Sequence, residues 1–131
     1  MIKSNELRLG NLLMYSNDSG IWTVNAIYEY GIDCSDENEE TYMEYENFEG
    51  IPLTKGWLRD FKFGEHFTSD PQERNASKAH YIGDFKIHQL DEEVDKFGFG
   101  GNDYEFIDIR FVHQLQNLYF ALTGEELTIK Q

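Results

Sequence analysis

The sequence predicts an α+β fold, with antiparallel strands, one short central helix and one longer helix near the C-terminus. Three observations carry this. Val112 to Thr123 repeats its apolar residues at helical spacing and runs into Gly124. Residues 12–48 hold short runs of β-branched and aromatic side chains separated by turn formers. Residues 80–111 repeat that strand-and-turn pattern. The chain has 131 residues, with 10 Phe, 8 Tyr and 2 Trp to fill a core. That suits a single domain over 1–131, softly divided into an acidic β unit (1–50) and an α+β half (51–131).

In order along the chain, Leu7-Arg8-Leu9 leads to a Gly10-Asn11 turn, and Leu12 to Tyr15 follows as a strand. Residues 16–20 are a loop of turn formers. Ile21 to Tyr30 is the next strand. Gly31 breaks or bulges it, and Ile32 to Cys34 extends it. Ser35 to Glu40 forms a charged tip. Thr41 to Phe48 is a third strand with imperfect alternation: Met43 and Tyr45 on one face, Tyr42, Glu44, Glu46 and Phe48 on the other. Three or more strands of this kind can curl into a small SH3-like barrel or a strongly bent sheet.

Pro52 holds Ile51 extended. Thr54 caps a short helix, Lys55 to Phe61, that buries Trp57, Leu58 and Phe61. Residues 65–79 carry Ser, Asp, Pro and Asn, with Phe67 as their only large apolar residue, and read as a mobile loop. His80 to Leu90 is strand-like with a Gly83-Asp84 turn near its start. Asp91 to Asp95 is an acidic turn, Val94 to Phe99 a further strand, and Gly98 to Asp103 a hairpin-like connection. In Glu105 to Phe111, Ile107, Ile109 and Phe111 form the inward set. The main helix buries Phe111, Val112, Leu115, Leu118, Tyr119 and Leu122 in a stripe about 120° wide. Gly124 takes the left-handed C′ position. Phe120 falls on the polar side with His113, Gln116 and Asn117; either another part of the chain covers it or it contacts a partner. Glu125 to Ile129 is a candidate edge strand.

Charge is the strongest compositional signal. There are 25 Asp and Glu against 11 Lys and Arg, a net charge of −14. Residues 1–50 hold 11 acids and 2 bases, and residues 51–131 hold 14 and 9. Glu29, Asp33, Asp36, Glu37, Glu39, Glu40, Glu44, Glu46 and Glu49 lie in a stretch with no Lys or Arg. Such a field repels nucleic acid and anionic membranes, so a macromolecular partner is expected to be a basic protein. The simpler reading of the same charge is solubility. No apolar run approaches the roughly 20 residues of a membrane span, and MIKSNELRLG lacks a signal peptide's apolar segment. The single cysteine, Cys34, allows no internal disulfide, which fits a cytoplasmic location.

Signatures of chemistry are few. Phe97-Gly98-Phe99-Gly100-Gly101-Asn102 has the glycines of a phosphate loop, but no Lys, and a strand follows it. His66, His80, His88 and His113 contain no i, i+4 pair for zinc. Asp36-x-Asn38-x-Glu40 and Asp91-x-Glu93-x-Asp95 place Thr41 and Lys96 where a calcium loop needs Gly. Asp33, Asp36 and Glu37 oppose ionisation of Cys34. No cofactor, metal or catalytic residue is assigned. What remains is carboxylates interleaved with Tyr28, Tyr30, Tyr42, Tyr45 and Phe48, a pattern that can offer spaced negative charge with aromatic contact area.

Three stretches together resemble a family. Glu6-Leu7-Arg8-Leu9-Gly10-Asn11-Leu12 is the first. Ile51-Pro52-Leu53-Thr54, followed by Trp57-Leu58 and Phe61-Lys62-Phe63, is the second. Val112 to Leu127, VHQLQNLYFALTGEEL, is the third. The set resembles small uncharacterised proteins carried by phages, prophages and other mobile elements of the Bacteroides–Flavobacterium group. This chain departs from their pattern at Lys55 and Gly56, where members carry acids. The resemblance implies an accessory gene product inside a bacterial cell and carries over no catalytic residue. The expectation is therefore a non-enzymatic protein that binds a basic host protein, in its sharper form an anti-CRISPR-like inhibitor. Its partner-binding residues would be the nine acids from Glu29 to Glu49, with Tyr42 and Phe120. The alternatives are a small enzyme or ligand-binding domain with its site in 65–110, using groups such as His80, His88 or Asp108, and a phage structural or assembly module with Phe120 at an oligomer contact.

Overall fold

The computed structural model describes residues 2–16, 20–67, 78–91, 95–100 and 106–129. The fold is α+β, with two five-stranded antiparallel sheets, few helices and a C-terminal helix packed on strands. The chain divides into two compact units: Met1–Pro52 with Phe111–Leu118, and Leu53–Arg110 with Tyr119–Gln131.

In the first unit β1 (Leu12–Tyr15), β2 (Ile21–Ile27), β3 (Gly31–Ser35), β4 (Glu40–Glu44) and β5 (Phe48–Gly50) form a sheet in the order β4-β3-β2-β1-β5. β1 to β4 are a meander, and a 3-10 turn, Tyr45–Asn47, returns the chain so that β5 lies against β1. Two strand expectations are corrected here. Residues 32–34 do not extend β2. Tyr28 N–H donates to Gly31 C=O at 2.8 Å, a hairpin forms, and β3 runs back antiparallel. The stretch 41–48 is not one strand either, because the 3-10 turn splits it. That split accounts for its imperfect alternation, since Phe48 restarts the period and is buried. A bulge between Val24 and Ala26 shifts the register of β2. It lets Val24 and Ile27 face the same core despite their odd spacing. Leu13, Val24, Ile32, Cys34, Met43 and Phe48, with Ile2 and Leu7, make that core.

In the second unit β6 (Gly64–Phe67), β7 (Lys78–Ile82), β8 (Phe85–Asp91), β9 (Lys96–Gly100) and β10 (Phe106–Ile109) follow one another in the sheet as in the chain. Gly83 and Asp84 form the expected tight turn, with Gly83 at φ 57°. The expected loop over 65–79 is corrected at both ends: residues 64–67 are β6, and β7 begins at Lys78. The rest of that loop, and the connection after Gly100, lie outside the described residues. Helix α1 (Lys55–Asp60) has the expected cap: Trp57 N–H donates to Thr54 Oγ1 at 3.4 Å. Leu58 and Phe61 are buried. Lys62 takes a left-handed φ of 69° and Phe63 N–H reaches back to Leu58 C=O at 2.9 Å, so a lysine stands where glycine is usual. The core is aromatic around Phe85, whose ring meets Phe63 at 6.2 Å, Phe99 at 5.7 Å and Tyr119 at 5.1 Å. Ile109 is buried as expected, but Ile107, on the same strand face, is exposed. Residues 125–129 are irregular, without the expected strand, although Leu127 is buried.

Helix α2 spans Val112–Thr123 and ends at Gly124 with φ 75°, as the sequence indicates. Its burial differs from the amphipathic expectation. Val112, Leu115 and Tyr119 are buried, but so are His113 and Gln116, and Leu122 is exposed. The cause is in the first unit, where residues 6–12 leave backbone groups that the helix's amides satisfy. Leu12 N–H donates to Gln116 Oε1 at 2.8 Å, and Gln116 Nε2 donates to Gly10 C=O at 3.1 Å. Asn117 Nδ2 donates to Glu6 C=O at 2.7 Å, and Asn11 Nδ2 donates to Asn117 Oδ1 at 2.8 Å. Backbone groups taken partly out of water need partners, and here side chains supply them.

Candidate functional site

The acidic residues are carried by the β2–β3 turn, the outer face of β3 and β4, and the β3–β4 tip. Pairing sets their positions. Asp33 stands opposite Tyr42, Ser35 opposite Glu40 and Gly31 opposite Glu44. Opposed residues in an antiparallel pair share a face, so Asp33, Glu40, Tyr42 and Glu44 project together. Alternate residues on one strand are about 6.7 Å apart, which places Glu40 and Glu44 about 13 Å apart at their backbones.

Three local devices hold this surface. Tyr28 Oη donates to Asp33 Oδ2 at 2.7 Å, and the same carboxylate holds the Tyr28 hydroxyl above the ordinary phenol range. The rings of Tyr28 and Tyr42 lie 6.2 Å apart. The Tyr42 ring covers Gly31 so closely that a methyl group there would overlap its hydroxyl and the Met43 carbonyl. Tyr45 clamps the β2–β3 turn, its hydroxyl donating to Tyr28 C=O at 2.5 Å and its N–H to Tyr30 C=O at 3.3 Å. At the tip, Asp36 Oδ1 accepts from Asn38 N–H at 2.8 Å and Glu39 N–H at 2.9 Å, so this carboxylate shapes its own turn.

Glu29, Glu44 and Glu46 surround an open hollow with Tyr30 and Tyr45. Tyr30 is 72% exposed and Tyr42 48%. Asp33 and Glu40 line a second open hollow with Asn25, Ser35 and Tyr42. Asp36, Glu37 and Glu39 are exposed at the tip. Glu49 stands apart from these on β5, opposite Met14. Phe120 belongs to the second unit, where it is 37% exposed. Cys34 is fully buried beneath this face, and burial with the charges of Asp33 and Asp36 pushes its thiol up to about 11.

The polar groups of the second unit are arranged differently. His80 pairs with Ile87 and His88 with Ala79, so the two imidazoles take opposite sheet faces. His88 and Asp108 share one face, each opposite Gly98. His80 is a buried core residue, its Nε2 3.3 Å from Gln89 Oε1, and burial holds it below the ordinary imidazole range. Glu65 pairs with Lys78 at 2.9 Å. Among the described residues, no group of three or more His, Cys, Asp or Glu is placed to hold a metal ion. No helix among them is long and apolar enough to cross a membrane.

Reading the sequence missed one further feature. Glu6, Glu49, Phe111 and His113 line a cleft in the first unit. They come from three separate stretches of the chain, and no local pattern marks them. No protein-family model, no curated protein and no solved structure matches this chain.

Proposed function

We propose that this chain is a non-enzymatic accessory protein of a phage or mobile element that binds a basic host protein through the carboxylate surface of β3, β4 and their turns. In its sharper form it is an anti-CRISPR-like inhibitor that occupies a nucleic-acid-binding surface. One observation carries the reading: Asp33, Glu40 and Glu44 share an outward face with Tyr42, in a stretch that contains no Lys or Arg. Carboxylates spaced on a paired β surface present negative charge at low ordering cost, and the tyrosines add contact area. The resemblance of the three sequence stretches to mobile-element proteins supplies the cellular context.

The test is affinity capture from a host-type bacterial lysate, with the Asp33→Asn/Glu40→Gln/Glu44→Gln variant in parallel. The expected partner is a basic nucleic-acid-binding protein, retained at low salt, released by added DNA and lost as salt rises from about 0.05 to about 0.3 M. Capture that resists salt, or that the variant performs equally well, refutes the proposal.

A further inference from the structure

Among the described residues, a cleft beside helix α2 is lined by a histidine that has a buried, unpartnered ring nitrogen. His113 is 2% exposed, and its Nδ1 is buried without a hydrogen-bond partner. Its ring stacks on Phe111, with centroids 5.7 Å apart and planes 16° from parallel. Gly50 makes this arrangement fit. A Cβ there would lie 2.8 Å from the Phe111 ring and 3.0 Å from His113 Cε1. Around the two rings is a cleft of about 370 Å³, lined also by Glu6, Glu49, Met14 and Gln114. That volume is at the lower end of the range for sites that hold small organic groups.

The lining selects a ligand class. Among the described residues it holds two carboxylates and no Lys or Arg, so an anion is repelled. An apolar occupant would desolvate the carboxylates without pairing them. Burial holds His113 below the ordinary imidazole range, with the Glu6 charge opposing in part, so at neutral pH the ring is uncharged and does not itself repel a cation. A cation with several N–H donors on a flat plate answers two carboxylates and a stacked pair of uncharged rings together. A guanidinium has that form, stacks on rings and is weakly hydrated, whereas an ammonium is a compact, strongly hydrated charge.

We infer that this cleft receives the arginine side chain of a basic partner protein. The inference rests on the proposed function only for the source of the arginine. Glu49 belongs to the acidic stretch that motivates that function, and Glu6 lies outside it. Glu6 Oε2 also accepts from Lys3 N–H at 2.7 Å, a bond that a glutamine preserves.

The experiment uses the full chain and three capped tripeptides, acetyl-Gly-X-Gly-amide, with X as arginine, citrulline or lysine. The readout is NMR of the His113 Cε1–H and Phe111 ring signals. The arginine peptide is expected to shift both saturably, with a millimolar dissociation constant. Citrulline, which keeps the shape and loses the charge, is expected to leave them unmoved. Glu6→Gln/Glu49→Gln should weaken arginine binding at least about fivefold, and Glu40→Gln/Glu44→Gln should leave it unchanged. No saturable shift, or an equal shift with citrulline, overturns the site. An equal shift with lysine overturns its guanidinium assignment. Because the tripeptide needs no host protein, peptide binding without salt-sensitive capture sustains the cleft and refutes the acidic-surface reading. Capture without peptide binding does the reverse.

Discussion

Replacing Gln116 by leucine tests the claim that helix α2 is held by its polar side. A helical wheel recommends the change, since an apolar residue would replace a polar one in a helix that packs on strands. The structure argues against it. Gln116 is 3% exposed, and its amide is the partner of both Leu12 N–H and Gly10 C=O. Leucine leaves both without that partner. Each stranded group costs roughly 1–3 kcal/mol, and because both bonds are only part-buried a combined cost of about 2–4 kcal/mol is appropriate. Leucine's extra apolar burial returns about 1 kcal/mol, for a net loss of about 1–3 kcal/mol. With a urea dependence of about 2 kcal/mol/M, the unfolding midpoint should fall by about 0.5–1.5 M. Native-state hydrogen exchange at the Leu12 amide should speed up relative to its neighbours. The companion change is Leu122→Gln. Leu122 is 56% exposed, so this substitution should stay within about 0.5 kcal/mol of the parent. The wheel predicts the opposite ranking. A Gln116→Leu midpoint within about 0.2 M of the parent, or a Leu122→Gln loss larger than the Gln116→Leu loss, would refute the reasoning.

Three further outcomes follow from particular residues. Gly31→Ala should cost about 1–3 kcal/mol in urea unfolding, because the new methyl overlaps the Met43 carbonyl and the Tyr42 hydroxyl; an unchanged midpoint would mean that Tyr42 does not cover Gly31. Cys34 should react with iodoacetamide at pH 7 at least about 100-fold more slowly in the folded chain than in urea, since burial and its acidic neighbours push its thiol up to about 11; comparable rates would contradict its placement. The histidines give the pH dependence. Burial depresses His80 and His113, so the unfolded chain binds protons first and stability falls as pH drops below the ordinary imidazole value of about 6.5. Glu65, held below the usual carboxylate range by its hydrogen bond to Lys78, adds its loss only in a lower window, as pH passes the ordinary carboxylate value of about 4.3. Urea midpoints should therefore decline between about pH 7 and 5, and a flat profile there would overturn the burial argument.

These outcomes bear on how the fold is written in the chain. Elements set by local chemistry are legible. Thr54 announces α1 because its hydroxyl meets an orphan N–H three residues on, and Gly124 ends α2 because φ 75° suits glycine. Gly83-Asp84 marks a hairpin for the same reason. The acidic stretch is legible as a run because its members are neighbours in sequence. Its division is not, since which carboxylates share a face depends on the hairpin at Tyr28–Gly31 and the split at Tyr45–Asn47. Run 21–34 as one strand, and Asp33 no longer stands opposite Tyr42.

What the sequence hides is non-local satisfaction of polar groups. Amphipathic reasoning assumes that a helix's polar side faces water, where solvent meets every donor and acceptor at no structural cost. Here a non-strand segment at residues 6–11, with the start of β1, lies against that side, and a loop brings backbone groups that no ladder can pair. Gln116 and Asn117 each donate once and accept once here, and so pair with the Leu12 N–H, the Gly10 and Glu6 carbonyls and the Asn11 amide together. An apolar helix face could cover that segment only by leaving those groups unpaired, at a cost that would exceed the packing gained. The same burial carries His113 inside and leaves its Nδ1 unmatched, so the ring pair that lines the cleft follows from the way the helix is fastened. A substitution that loosens Gln116 should therefore disturb the His113 signals as well, which makes the stability test and the arginine-peptide titration two views of one packing arrangement.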